Sequence, residues 1–254
     1  MKNTFKWMFA AILICGLTVS SCKKDPQPTP DPEPQTVTRL ARQDVIKSNA
    51  VYTAISSVDF TWENGKLMQI CDSISMLSVT TTNIESMIYE DDKVVRIEEE
   101  NGRWVHHFTY ENDLIVSFLT IHDGDSSTWG TVSYYPDGYV KEIMYHDRVK
   151  TTQFNLTWVD GDATEIVEHI LEPEEVAGTY VYNYTYDDKP CVFNGVPWAY
   201  AIFDGNGVRA AIRKSKHNVI LEGATHTYDD KGLLISAVRE NESVYYRYIE
   251  QTVE

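Results

Sequence analysis

Seven histidines, at positions 106, 107, 122, 146, 169, 217 and 226, are the first side chains to weigh for chemistry, since imidazole can bind a metal or carry a proton near neutral pH. No two have the i,i+4 spacing that sets a pair of ligands on one helix face. Adjacent His106 and His107 would point to opposite faces of a strand and could not easily share one ion. His122-Asp123-Gly124-Asp125 and His146-Asp147 are better placed for a weak cation site, but a hydrophilic hairpin tip explains both, so no metal is assigned. Asp and Glu total 38, and that abundance makes the choice of any catalytic pair arbitrary. The densest runs, Glu98-Glu99-Glu100 and Glu172-Pro173-Glu174-Glu175, precede turns and read as solvated surface. The sequence has no Gly-x-Ser-x-Gly elbow, phosphate-binding loop or dinucleotide fingerprint. No catalytic residue and no cofactor are assigned, and a non-enzyme is expected.

Two aromatic residues stand out as ligand-stacking candidates. Trp129 lies beside a turn in Asp125-Ser126-Ser127-Thr128-Trp129-Gly130, and Trp198 lies in the apolar stretch 194–205; core packing is the plainer use of each. Cys71 and Cys191 could pair in an exported protein, although their 120-residue separation and the usual burial of cysteine favour free core thiols.

The chain that must position these residues has 254 of them, a formal charge of −16 and a pI near 4.8. That charge repels phosphate backbones, so nucleic acid is not an expected partner. A hydrophobic content of 43% with 12% aromatics supplies ample area for a folded core.

The N-terminus carries Lys2 and Lys6, an apolar run from Trp7 to Leu17 and the small-residue end Val19-Ser20-Ser21-Cys22. The run is shorter than the ~20 residues that span a bilayer and reads as a secretory signal over 1–21. Val19-Ser20-Ser21-Cys22 resembles a bacterial lipobox, which implies lipidation of Cys22 and attachment to a membrane through that lipid. Residues 22–37 form a tether with proline at every second position from 26 to 34, an extended spacer rising ~3.1 Å per residue. Lys23-Lys24-Asp25 resembles the export tag of surface lipoproteins in Bacteroidetes-type bacteria. Loss of residues 1–21 removes two lysines, which leaves 20 basic against 38 acidic side chains and a charge of −18.

From residue 38 to 254 one pattern returns: an aromatic, a pair of turn-formers, then an aliphatic strand. The aromatic positions are Trp62, Tyr89, Tyr110, Tyr135, Trp158, Tyr186, Tyr228 and Tyr248, spaced by 20–28 residues apart from one gap of 42. Asn-Gly, Asp-Gly and Asp-Asp steps suit the positive φ of tight hairpin turns. The expected fold is all-β: a single domain of roughly 14–16 strands in a large antiparallel meander, forming a strongly curved sheet or a partly closed barrel. The 42-residue gap is expected to hold one short helical segment near 196–204, which could plug the sheet.

The Tyr-x-Tyr-Asp-Asp/x-Gly units resemble the tyrosine–aspartate repeats of large bacterial surface proteins. With the lipobox and spacer, the whole resembles an uncharacterised family of Bacteroidetes lipoproteins with a porin-like fold. That resemblance implies an outer-membrane, lipid-anchored protein and transfers no functional residue other than Cys22; the charged step after Cys22 favours the cell surface, with the periplasmic face as the alternative. Arg96, Glu98, Lys141, Glu142, Glu165 and Glu168 argue against the apolar lipid-facing band, about 25 Å tall, of a spanning barrel. The expected role is a non-catalytic binding or interaction module for glycan, peptide or an envelope protein. The alternatives are a structural component of the envelope and a glycan-acting hydrolase.

Overall fold

Asn64 and Gly65 have φ of 49° and 79°, and the same paired positive values recur at Asp91-Asp92, Asn112-Asp113 and Asp160-Gly161. Two consecutive residues of positive φ are what a type I′ hairpin requires. The computed structural model describes residues 35–48, 52–76, 79–173, 177–203 and 207–253. The signal segment, Cys22 and almost all of the tether therefore lie outside the described residues.

The strands are β1 (Gln35–Ser48), β2 (Thr53–Glu63), β3 (Lys66–Met76), β4 (Val79–Glu90), β5 (Lys93–Glu99), β6 (Trp104–Glu111), β7 (Leu114–His122), β8 (Asp125–Tyr134), β9 (Val140–Asp147), β10 (Thr151–Val159), β11 (Asp162–Glu172) and β12 (Gly178–Asn183). After these come β13 (Tyr186–Pro190), helices α1 (Trp198–Phe203) and α2 (Gly207–Lys214), then β14 (His217–Val219), β15 (Thr225–Tyr228), β16 (Leu234–Arg239) and β17 (Glu242–Val253). Fifteen strands form one antiparallel sheet that runs from β12 back to β1 and continues through β17 and β16 to β15. The meander is as expected, and the sheet is open. Its first strand also pairs with its last, Gln35 opposite Val253 and Lys47 opposite Glu242.

One device repeats along this sheet. Within each hairpin a register shift sits next to the marker aromatic, placing Trp62 opposite Leu67, Tyr89 opposite Val94, Tyr110 opposite Ile115 and Trp158 opposite Ala163. Between hairpins the pairing stops short of that point: β3 pairs β4 only from Gln69, β5 pairs β6 only from Arg96, and β7 pairs β8 only from Ser117. Leu67, Val94 and Ile115 thus have no strand partner on their second side. Their carbonyls accept hydrogen bonds from the next aromatic instead, from Tyr89 at 2.8 Å, Tyr110 at 2.9 Å and Tyr134 at 2.8 Å. Trp62 donates to the Leu40 carbonyl, Trp158 to Val140, Tyr186 to Ala163 and Tyr248 to Leu234. The Tyr228 hydroxyl donates to Asp187.

These links join into a ring. Tyr186 ties β13 to β11, Tyr228 ties β15 to β13, and Leu40, the acceptor of Trp62, lies opposite Tyr248. Side chains on β13 therefore connect the two ends of a sheet whose strands do not meet.

The inward face carries Leu67, Ile70, Ile97, Ile115, Ile143, Leu156 and Ile166, all fully buried. The helices pack on it: Tyr200 meets Phe60 of β2 edge-on, Tyr145 of β9 donates to the Ile202 carbonyl, and Gly207 lies against the Phe154 ring of β10. In a flat sheet β2 and β9, which α1 touches through Tyr200 and Ile202, would be about 34 Å apart at ~4.8 Å per strand. A helix of six residues spans only ~9 Å, so the sheet curls around the helical segment. The outward face carries ion pairs, with Arg42 between Asp44 and Asp59 and Arg247 also on Asp44.

Four expectations are corrected. The aromatic of the fourth unit is Tyr134; Tyr135 donates instead to Leu156 of the neighbouring hairpin. Tyr186-Asp187-Asp188 is no hairpin turn but lies within β13, where the strand runs on to Pro190 and pairs β14 in a separate two-stranded sheet. The gap holds two helices rather than one, because Gly207–Lys214 forms α2 with Ala210 and Ala211 buried. Cys71 and Cys191 are both free as expected, but only Cys191 is a core thiol.

Replacing Tyr89 or Tyr110 with Phe should lower the unfolding free energy by about 1–2 kcal/mol, because a buried carbonyl loses its donor. Tyr180→Phe, on the exposed edge strand β12, should change it by less than ~0.5 kcal/mol in the same urea titration.

Candidate functional site

The hairpin tips bring a cavity into being where three marker tyrosines stand side by side. Tyr89, Tyr110 and Tyr134, with Leu67, Val94, Ile115 and Leu114, wall a space of about 360 Å³ that Pro197, Trp198 and Lys214 cover from the helical side. The hydroxyls of all three tyrosines are spent on backbone carbonyls, so their rings form the walls. Burial pushes the Tyr89 and Tyr110 phenols up to about 12 and raises Tyr134 as well, which keeps them protonated as donors.

Each turn also contributes charge. Lys66, directly after Asn64-Gly65, reaches over the Tyr89 ring at 5.3 Å and pairs with Asp92 of the next turn. Lys93 repeats this over Tyr110 at 5.8 Å with Asp113 at 2.6 Å. Lys214, in the last turn of α2, lies 6.0 Å from the Trp198 ring and has no carboxylate partner among the described residues. More than a third of its surface is accessible, yet the surrounding walls desolvate the ammonium and lower its pKa. Trp198 Nε1 is buried without a well-formed hydrogen bond, and its polar neighbour is the Tyr134 hydroxyl.

A second polar region lies on the inward face toward the other end of the strands. His106 is buried with Nδ1 2.9 Å from Thr120 Oγ1, and Trp104 stacks on His122 with ring centroids 4.0 Å apart. Glu85 stands directly opposite Glu99 on the neighbouring strand, two residues from the inward Met87 and Ile97. Glu85 is buried and Glu99 half-buried. Glu99 therefore departs from its reading as solvated surface: the extra residue Val95 at the register shift changes which side chains of β5 point inward.

The two tryptophan candidates are separated. Trp198 lines the cavity, whereas Trp129 follows an outward course beside the inward Gly130 and stacks on His146 at 5.6 Å. Gly130 is needed there, since a Cβ would meet the Met144 carbonyl at 2.0 Å and the Phe118 ring at 2.3 Å. Asp123 pairs with Arg103, and Asp147 accepts from the backbone of Val149 and Lys150 in its own turn. Among the described residues, no three His, Cys, Asp or Glu side chains gather as metal ligands. Sequence reading missed Lys66, Lys93 and Lys214. The first two recur at the same offset after a turn, a detectable signal, while Lys214 depends on where α2 docks.

No protein-family model matches the chain, and no curated protein matches it. Among solved structures, a porin-like protein from Bacteroides uniformis superposes with a TM-score of 0.57, covering 83% of this chain and 96% of that one at 11% identity. The fold is porin-like. At this identity the likeness concerns the fold alone.

His106 yields a pH prediction. Burial, with a smaller effect from His107, lowers its pKa to about 4, whereas an unfolded imidazole titrates near ~6.5. The unfolded chain takes up the proton first, so stability should fall as pH drops from about 6.5 through about 4. Thermal melts at pH 7 and pH 5 should show a smaller loss in His106→Asn than in the parent.

Proposed function

We propose that this protein is a non-catalytic binding module of the bacterial outer envelope, lipid-anchored through Cys22 and held off the membrane by its proline-rich tether. The observation that carries the binding role is the cavity under the hairpin tips. The helices fill the curled sheet, and a space of about 360 Å³ with aromatic walls and convergent lysines persists at one end. That volume lies within the ~300–1,000 Å³ common for small-molecule sites. The charged cluster Arg42, Asp44, Asp59 and Arg247 on the outward face supports a domain that stands in water beside the membrane.

One observation favours a second reading, a glycan-acting hydrolase. Glu85 and Glu99 face each other across neighbouring strands, and directly opposed residues bring their Cβ atoms within ~5.5 Å. Retaining glycosidases hold their two carboxyl groups ~5–5.5 Å apart. Turnover of aryl glycosides that Glu85→Gln abolishes would favour this reading over the first.

Two measurements test the proposal. In cells, Cys22→Ser should move the protein from the membrane pellet to the soluble fraction, and persistence in the pellet would contradict the anchor. In a screen of glycan fragments, peptides and small organic compounds followed by indole NMR, binders should shift the Trp198 resonance. A screen with no compound acting at Trp198 would contradict the binding role.

A further inference from the structure

We propose that the cavity under the hairpin tips takes a small organic monoanion, with its carboxylate against Lys214 and its apolar body between Trp198 and the tyrosine rings. This rests on the binding role proposed above and specifies its chemistry. Three ammonium groups line the cavity against the two carboxylates of Asp92 and Asp113, which leaves one positive charge in excess within a chain of net −16. The excess is localised. Lys66 and Lys93 are matched by Asp92 and Asp113, whereas Lys214 faces aromatic and aliphatic wall and forms no ion pair with a carboxylate among the described residues.

An ammonium held against apolar walls gains from an opposite charge brought beside it. An anion entering the cavity supplies that charge, and in a concave site walled by low-dielectric side chains the attraction is stronger than on an open surface. The hydroxyls of Tyr89, Tyr110 and Tyr134 are committed as donors to Leu67, Val94 and Ile115, and the carboxylates of Asp92 and Asp113 pair with Lys66 and Lys93.

The same geometry disfavours other occupants. A neutral sugar would leave the ammonium of Lys214 without a counter-charge. A metal cation would meet a positive excess. A polyanion needs several unmatched cations, and the cavity offers one. An apolar body suits the walls of Leu67, Val94, Leu114 and Ile115.

The test uses the full chain, with 1-naphthoate as the anionic probe and 1-naphthalenemethanol as its neutral counterpart, each titrated by calorimetry and followed by indole NMR. The expected result is that naphthoate binds at least tenfold more tightly than the alcohol and shifts the Trp198 indole. Lys214→Met should remove that preference, and Lys216→Met, outside the cavity lining, should preserve it. Lys214→Gln gives a second variant if the Met form does not fold. Equal binding of the two probes at Trp198, or a preference that survives Lys214→Met, overturns the anion assignment and leaves the binding role standing. Failure of both probes to perturb Trp198 at millimolar concentration overturns the anion assignment, and the wider screen then decides the binding role separately.

Discussion

A β-sheet built from hairpins has to satisfy every backbone carbonyl, and here the ladder between neighbouring hairpins stops before the tips. Leu40, Leu67, Val94, Ile115, Val140, Ala163 and Leu234 are left with one side of the backbone unpaired, at positions where water is largely excluded. An unsatisfied buried carbonyl costs on the order of 1–3 kcal/mol, so each must find a donor. A tyrosine hydroxyl or an indole N–H from the next hairpin supplies it. The repeated aromatic is therefore a substitute for strand pairing, long enough to reach a carbonyl that a backbone amide no longer reaches.

The rest of the architecture follows from that substitution. An aromatic ring occupies more room than a backbone hydrogen bond, so neighbouring hairpins separate at the tips while remaining paired along their length. Register shifts at the same positions add local twist and bend. The curled sheet encloses α1 and α2, and β13 carries the hydrogen-bond ring across the gap between β11 and β15. The cavity is a by-product of the same geometry. Three successive rings stand apart at the tips, and the helical segment meets them with Trp198 and Lys214.

Much of this is legible in the sequence. The spacing of Trp62, Tyr89, Tyr110, Trp158, Tyr186, Tyr228 and Tyr248 marks the ring, and Asn-Gly and Asp-Asp steps mark its turns, since both signals are local. Tyr134 and Tyr135 could not be told apart because they are adjacent, and only the register of β8 against β9 decides which faces inward. Pairing of β1 with β17 joins residues more than 200 apart and has no local signature. The inward turn of Glu99 depends on an extra residue in β5, which strict alternation does not anticipate. Trp198 was visible as a bulky residue in an irregular gap, whereas Lys214 acquires its meaning only when α2 docks.

The most direct test of the aromatic ring is the exchange rate of tyrosine hydroxyl protons, measured by NMR on protein labelled with carbon-13 at the tyrosine ζ position. If these hydroxyls replace strand pairing, those of Tyr89, Tyr110, Tyr134, Tyr186 and Tyr248 will exchange with solvent slowly enough to give resolved isotope-shifted signals in mixed light and heavy water, and exposed Tyr180 will not. Rapid exchange at all six would contradict the account.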